Sequence, residues 1–159
     1  MQLQVRGGQL PAMTKPTDSS LEAWVCLVRT EQKLLARVEE EMKQAGFPPL
    51  EWYDVLVELD REPTGTLPQA VVQSRVLLAQ YNLCRLCDRL QREGLLVRQP
   101  SPDDGRSNLL VITENGRKLR REMWPSYAAA IETHLGSRLQ PEEASELARL
   151  LGKLARRGE

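Results

Sequence analysis

One stretch of the chain, residues 78–113, constrains the fold more than any other, because a helix pattern is followed there at once by strand patterns. Its first part has apolar residues at spacings of three and four, which predicts an amphipathic helix. The apolar stripe consists of Leu83, Leu86, Cys87 and Leu90. The opposite face carries Tyr81, Arg85, Asp88 and Arg92, with Arg89 on its flank. The helix should therefore bury one side and present a basic side to solvent.

Gly94 and the residues after it predict a β-hairpin. A glycine just beyond the last helical residue is the usual helix terminator. Residues 95–99 and 109–113 alternate in the manner of strands, and the loop between them is rich in turn residues and carries Arg106 near its tip. A helix followed by a hairpin with a basic tip is the pattern of a winged helix. The helix of such a unit can enter a major groove, and the loop can reach the minor groove or the phosphates.

Four sequence blocks make a resemblance to a known family specific. They are RLCDRL (85–90), EGLL (93–96), PDDGR (102–106) and VITENG (111–116), in this order and spacing. Together they resemble the MarR family of transcriptional regulators, which are dimeric winged-helix proteins of bacteria and archaea. A generic helix and hairpin with a solvated basic face is the alternative. The resemblance implies a mainly α-helical fold with a small β-hairpin wing, in which the first helix and the last two helices pair between subunits.

The chain divides into four segments. Residues 1–17 show no periodicity and contain two glycines and two prolines, which predicts a flexible N-terminal arm. Residues 18–47 are expected to form an N-terminal dimerisation helix, and residues 48–113 a winged helix-turn-helix DNA-binding domain. Residues 114–159 are expected to form C-terminal dimerisation helices.

Local signals support these segments. Ser19, three residues before Glu22, has capping-box spacing for the first long helix. Pro68 suits the first turn of the helix that precedes the recognition helix. Thr113 can cap the helix that follows the wing.

The distribution of charge points to nucleic acid although the total does not. The chain has 22 basic and 22 acidic residues and a formal net charge of zero. Residues 75–121, however, contain ten basic and five acidic residues, a local excess of five positive charges. A basic lobe on a neutral protein is a usable footprint for phosphates.

Composition also indicates the cellular compartment in which the protein is expected. Three cysteines, an odd number, argue against a disulfide framework and fit a reducing environment. No run approaches the roughly 20 apolar residues of a transmembrane helix. We therefore expect a cytoplasmic protein with no membrane partner.

The resemblance implies a set of DNA contacts. The candidates are Gln80, Tyr81, Arg85 and Arg89 on the recognition helix and Arg106 at the wing tip. Asp104 and Arg106 keep the Asp-x-Arg wing pattern, in which the carboxylate would orient the guanidinium. A plain turn role for Asp104 remains an equal alternative. The expected partner is double-stranded DNA with a pseudo-palindromic operator.

Two positions depart from the family pattern. Relatives usually carry a small hydroxyl residue at the start of the recognition helix and a glycine in the turn before it, whereas this chain has Ala79 and Leu77. Alanine is a poor N-cap. We therefore expect the helix either to begin at another residue or to fray when DNA is absent.

The family also binds small aromatic or lipophilic ligands between the dimerisation helices and the DNA-binding lobe. Trp24, Trp52 and Tyr53 are the candidates for lining such a cleft in this chain. Ordinary core packing is the alternative for each, and it is the favoured one for Trp52.

The thiols give a weaker signal. Cys84 and Cys87 are spaced as in zinc and redox motifs, but a structural zinc site wants four ligands, and only Cys26 and His134 remain. Cys87 lies on the apolar stripe and is best explained as a core residue, whereas Cys84 flanks the face expected to meet DNA. We therefore expect no metal and no cofactor. No catalytic constellation stands out, so an enzyme is not expected.

These observations favour a homodimeric, sequence-specific DNA-binding regulator, a repressor that a small molecule releases from DNA. The alternative is a winged-helix module that senses thiol oxidation or binds another protein. It is supported by the missing hydroxyl residue at the start of the recognition helix and by the Cys84/Cys87 pair.

Overall fold

The computed structural model of the chain describes residues 15–77, 82–103, 105 and 107–155. The helices are α1 (Asp18–Gln44), α2 (Leu50–Arg61), α3 (Gln69–Arg75), α4 (Leu83–Arg92), α5 (Glu114–His134) and α6 (Pro141–Ala155). The strands are β1 (Thr66–Pro68), β2 (Leu96–Pro100) and β3 (Asn108–Ile112). This is the predicted mainly α-helical fold with a hairpin wing.

Contacts divide the chain into two units, Met1–Lys33 and Leu34–Glu159. The described part of the first unit holds the beginning of α1. The hydroxyl of Thr17 accepts a hydrogen bond from the backbone N–H of Ser20 (3.1 Å) and so caps this helix. The predicted cap at Ser19 is therefore wrong, because Ser19 already lies inside the helix.

Within the second unit, the winged-helix lobe contains a small antiparallel sheet with β3 at its centre. β2 and β3 form the predicted hairpin, with Leu96 opposite Ile112. β1 was not predicted from the sequence, and it pairs with the other side of β3, Leu67 opposite Leu110. Pro68 is the last residue of β1 and precedes α3, so its predicted place in the first turn of that helix is wrong by one residue.

The lobe has its own hydrophobic core, built from α2, α3, α4 and the sheet. Its buried members are Val55, Leu56, Leu59, Leu67, Val72, Val76, Leu83, Leu86, Cys87, Leu90, Leu95, Leu96, Leu110 and Ile112. A second cluster joins the C-terminal part of α1 to α2 and α5. It contains Val38, Met42, Leu50, Tyr53, Met123 and Ala130.

The wing is tied to the start of α5 by one side chain and one close approach. The Thr113 hydroxyl donates a hydrogen bond to the carbonyl oxygen of Gly94 (2.7 Å) and accepts one from the N–H of Gly116 (3.1 Å). The predicted cap at Thr113 is thus confirmed. A Cβ at Gly116 would lie 2.1 Å from the carbonyl oxygen of Leu95, so only glycine allows this contact. The sheet and α5 are therefore held in one arrangement.

Helix α6 differs from the others because none of its residues is buried. Leu147, Leu150, Leu151 and Leu154 are 38–72 % exposed. In the part of the chain that is described, no helix is long and apolar enough to cross a membrane.

Candidate nucleic-acid interface

The recognition helix α4 begins at Leu83, because Asn82 supplies the cap that Ala79 cannot. Asn82 has a non-helical backbone (φ −77°, ψ 102°), and its side chain accepts a hydrogen bond from the N–H of Arg85 (3.2 Å). Asparagine is among the best N-caps. A shifted start, one of the two outcomes expected for this departure from the family, is therefore what the structure has. Gln80 and Tyr81, two of the candidate DNA contacts, lie outside the described residues.

The two faces of α4 are those that the sequence predicts. Leu83, Leu86, Cys87 and Leu90 are buried against the lobe core. Arg85, Arg89 and Arg92 are exposed. Within the described ranges, none of these three arginines forms an ion pair. The exposed face of α4 therefore carries three positive charges that are not neutralised by a carboxylate there.

Helix α4 ends as predicted. Gly94 has φ +69°, and the N–H of Leu95 binds the carbonyl oxygen of Leu90 (2.9 Å), which is the Schellman pattern. Because Leu95 is itself buried, the chain turns directly from the recognition helix into the wing strand.

Most other basic residues of residues 75–121 are paired. Arg75 binds Glu62 (2.5 Å), Lys118 binds Glu122 (3.8 Å) and Arg121 binds Glu114 (3.0 Å). Asp60 of α2 contacts both Arg117 and Arg120 of α5, the latter at 2.6 Å. Among the described residues of this stretch, the basic residues without an ion pair are thus the three arginines of α4.

Asp60 is held in its charged form by these arginines. Burial disfavours the carboxylate, but the hydrogen bonds from Arg120 and Arg117 outweigh it and lower the pKa of Asp60 below 3.8. This ionised side chain links α2 of the winged-helix lobe to α5.

Arg98 of β2 was counted in the sequence only as a charge, but the structure gives it specific partners on α4. Its Nη1 contacts the carboxylate of Asp88, and its Nη2 donates a hydrogen bond to the carbonyl oxygen of Cys84 (3.0 Å). Ten and fourteen residues separate these partners from Arg98, so no local pattern could have indicated the contact.

The base of the wing loop is closed by a hydrogen bond from the N–H of Ser101 to the carbonyl oxygen of Ser107 (3.0 Å). Gly105 is exposed, with nothing within 4 Å of the position of a Cβ. Asp104 and Arg106, the candidate wing residues, lie outside the described residues.

The thiols lie in different environments. Cys26 and Cys84 are exposed and Cys87 is buried, and all three are free. The Cys84 sulfur accepts a hydrogen bond from the Gln69 amide (3.0 Å). Burial raises the pKa of Cys87 to about 11, so this thiol is protonated near neutral pH and is a poor redox partner. Over the described residues, no group of three or more His, Cys, Asp or Glu side chains could hold a metal ion.

The aromatic residues proposed as ligand contacts fall into different places. Trp24 is 64 % exposed on α1. Trp52 packs against the lobe core, as favoured for it, and its Nε1 is buried with no partner among the described residues. Tyr53 is buried in the second cluster.

Tyr53 instead joins two aromatic residues of α5 that the sequence analysis did not select. It stacks on Trp124 (ring centroids 6.2 Å, 17°) and meets Tyr127 edge-on (5.1 Å, 78°). Trp124 is 46 % exposed. No helical spacing links Trp124 or Tyr127 of α5 to Tyr53 of α2, so only the folded arrangement identifies this trio.

The only histidine lies at the end of α5. Its Nε2 is 2.6 Å from the Glu41 carboxylate of α1, and its Nδ1 is buried with no partner in the described part of the chain. His134 therefore forms a polar contact between the end of α5 and the C-terminal part of α1.

Comparison with known proteins agrees with this architecture. A sequence profile of the MarR family matches residues 45–107. The HTH-type transcriptional regulator YkoM of Bacillus subtilis is 34 % identical over 113 residues, which cover 71 % of each chain. These matches span the recognition helix and most of the wing.

Two solved structures of similar proteins extend the likeness over nearly the whole chain. Sco3205 of Streptomyces coelicolor, a MarR family regulator in complex with DNA, has a TM-score of 0.77 at 21 % identity and covers 92 % of this chain and 91 % of its own. PcaV of the same organism, in complex with its natural ligand, has a TM-score of 0.68 at 25 % identity and covers 89 % and 97 %. The chain described here belongs to the MarR family of transcriptional regulators and has the winged-helix DNA-binding fold of that family.

Proposed function

We propose that this protein is a homodimeric repressor that binds a pseudo-palindromic DNA operator and is released by a small aromatic or lipophilic ligand. The observation that carries the proposal is the exposed face of α4, on which Arg85, Arg89 and Arg92 have no carboxylate partner in the described residues while most other nearby basic residues have one. Unpaired arginines on a helix that fits a major groove favour DNA as the partner.

Different residues would contribute different parts of DNA recognition. Arg85 and Arg89 would reach base edges or the phosphates beside the groove, and Gln80 and Tyr81 would act beside them. Arg106, oriented by Asp104, would contact the minor groove or its phosphates, as the resemblance implies. Base contacts carry sequence information, whereas phosphate contacts mainly carry affinity and salt dependence.

The exposed leucines of α6 support a dimer. Four leucines with spacings of three and four residues form one apolar stripe, and none of them is buried. Such a stripe is covered when a second copy packs against it. A two-fold dimer would present two α4 helices to two half-sites, which is the reason to expect a palindromic operator.

The aromatic trio supports a ligand site. Tyr53, Trp124 and Tyr127 join α2 of the lobe to α5, and Trp124 is half-exposed beside the two tyrosines. Flat apolar molecules bind well against such rings. Trp24 and Trp52 remain further candidates, and the structurally similar PcaV has been solved in complex with its natural ligand.

The test uses the duplex that the wild-type protein selects from a random library, together with a scrambled duplex. Arg85→Ala should cost roughly 1–3 kcal/mol per half-site on the selected duplex and narrow the gap to scrambled DNA. Arg138→Ala, which removes an exposed arginine after α5, is the matched control. It should change neither the affinity for the selected duplex nor the difference from scrambled DNA. Fluorescence anisotropy across a salt series measures both affinities. Equal binding by wild type and Arg85→Ala would show that α4 does not face DNA.

Arg106→Ala provides a contrasting result in the same assay. If Arg106 contacts phosphates, its loss should lower the affinity for both duplexes alike. The slope of log affinity against log salt concentration should fall by about one per lost contact in each subunit. An unchanged slope would argue against a phosphate contact at the wing tip.

A further inference from the structure

We propose that Arg98 is a positioning residue that fixes the rotation of the recognition helix relative to the wing and neutralises an acidic residue on its exposed face. The inference rests on the proposed function, in which α4 contacts DNA. It adds a residue that the family resemblance did not supply.

The contacts of Arg98 join α4 and β2, which are adjacent in sequence, through polar groups outside the apolar stripe that α4 buries in the lobe core. Arg98 lies in β2, opposite Leu110 of the central strand β3. Its guanidinium holds Asp88 through Nη1 and the carbonyl oxygen of Cys84 through Nη2 at 3.0 Å. These two α4 residues are four positions apart, about one turn, so both contacts lie on one side of the helix. Two such contacts define a rotation, which a single contact would not.

Arg98 is poorly placed to be a DNA contact itself. Its side chain is only 23 % exposed, and both of its terminal nitrogens are engaged with α4. The hydrogen bond with Asp88 raises the pKa of Arg98 further above its usual value, although burial opposes this. By contrast, Arg85 and Arg89 are exposed without ion pairs in the described part of the chain.

Asp88 explains why this contact matters for DNA. Its side chain is 55 % exposed on the same helix as the three unpaired arginines, where a free carboxylate would repel phosphates. Pairing with Arg98 neutralises that charge. Arg85, which follows Cys84 directly, should lose its register with the bases when the helix can rotate.

The experiment compares Arg98→Gln, Asp88→Asn and the double variant, with Arg138→Gln as the matched control and Arg98→Lys as the conservative replacement. Affinities for the selected and scrambled duplexes are measured across a salt series. Amide hydrogen exchange of residues 86–91 is measured in the free protein, which needs no DNA.

We expect Arg98→Gln to reduce the ratio of selected to scrambled affinity by about tenfold per half-site, the size of one lost base contact, with an unchanged salt slope. Exchange in α4 should become about threefold faster, as for the loss of one partly exposed ion pair. Arg98→Lys should recover part of both effects. In the double variant, the Asp88→Asn change should add less than twofold, because the two residues act through one contact.

Either of two results would overturn the inference. One is an unchanged affinity ratio in Arg98→Gln, and a lower salt slope beside it would make Arg98 a phosphate contact. The other is amide exchange in α4 of Arg98→Gln that is no faster than in Arg138→Gln. If Arg98→Gln fails to fold, the same exchange comparison with Asp88→Asn decides. If wild type selects no duplex, the proposed function fails, and exchange alone then decides whether Arg98 positions the helix.

Discussion

Helices α4 and α6 both expose one face, but the exposed face of α4 is charged and that of α6 is apolar. α4 buries a full apolar stripe in the lobe core and exposes three arginines that form no ion pair with the described residues. α6 buries none of its residues and exposes a stripe of four leucines. The first face needs an anionic partner and the second an apolar one. Under the proposed function, the first face would contact DNA and the second would join two copies of the chain.

The largest expected effect, on dimerisation and operator affinity, comes from placing charge on the apolar face of α6. In the proposed dimer, Leu147→Asp combined with Leu151→Asp would bury two carboxylates from the α6 helix of each subunit. Burying charges without partners costs much free energy. We expect a monomer in light scattering at micromolar concentration and a loss of operator affinity of at least about 100-fold, since the two half-sites would then bind independently.

Lys153→Ala, an exposed change on the same helix, is the control for this pair and should leave a dimer. A double aspartate variant that remains dimeric would show that α6 does not form the interface.

A pair of identical substitutions makes the comparison quantitative. Leu90 of α4 is fully buried, whereas Leu150 of α6 is 45 % exposed in the single chain. Leu90→Ala should lower the free energy of unfolding by about 2–5 kcal/mol at any protein concentration, because it opens a cavity in the lobe core. Leu150→Ala should act through association, so its effect should shrink as the protein is diluted.

Urea unfolding at several protein concentrations separates these two cases. A concentration-independent loss for Leu150→Ala would mean that this leucine contributes to the fold of the single chain.

The same contrast shows what could be read from the sequence. The faces of α4, the glycine that ends it and the cap at Thr113 were predicted because each depends on residues within one turn. Strand β1 was missed because it has three residues, one of them a proline, and gains its partners from β3 more than forty positions away. Arg98 and Asp60 were likewise missed, because their partners are distant in sequence and any of several charges could have paired with them.

The exact first residue of the recognition helix was not predicted, for a different reason. Tyr81 has the helical spacing of Arg85, so periodicity alone does not mark where the helix begins. The Asn82 side chain resolves this competition by binding the N–H of Arg85. Of the aromatic trio, the sequence predicted only Tyr53 as a ligand contact, because Trp124 and Tyr53 meet only through the packing of α5 on α2.

A smaller effect is expected at Asp60, which neutralises Arg117 and Arg120 of α5. The exposed arginines of α4, by contrast, have no carboxylate partner among the described residues. Asp60→Asn should cost about 1–3 kcal/mol of unfolding free energy, since two charge-assisted hydrogen bonds are weakened. The folded pKa of Asp60 is depressed below 3.8, its usual value, so its stabilising contribution is fully present only well above 3.8 and is lost as the pH falls through the folded pKa.

The difference between wild type and Asp60→Asn should therefore be largest above about pH 5 and shrink below about pH 4. Asp103→Asn, on the exposed wing loop, is the control and should show no such dependence. A difference that grows toward low pH would mean that Asp60 is not held in its charged form.

The smallest effect is expected at Cys84, the exposed thiol of α4. Cys84→Ser keeps a small polar side chain at an exposed position, so operator affinity should stay within about 1 kcal/mol of wild type. Cys87 cannot readily assist oxidation of Cys84, because burial raises the pKa of Cys87 to about 11 and leaves almost no thiolate at neutral pH. Peroxide should consequently release wild type from DNA no faster than Cys84→Ser or Cys26→Ser. If peroxide released wild type but not one of these variants, α4 would respond to oxidation as well as to DNA, and the thiol-sensing alternative would replace the ligand-responsive one.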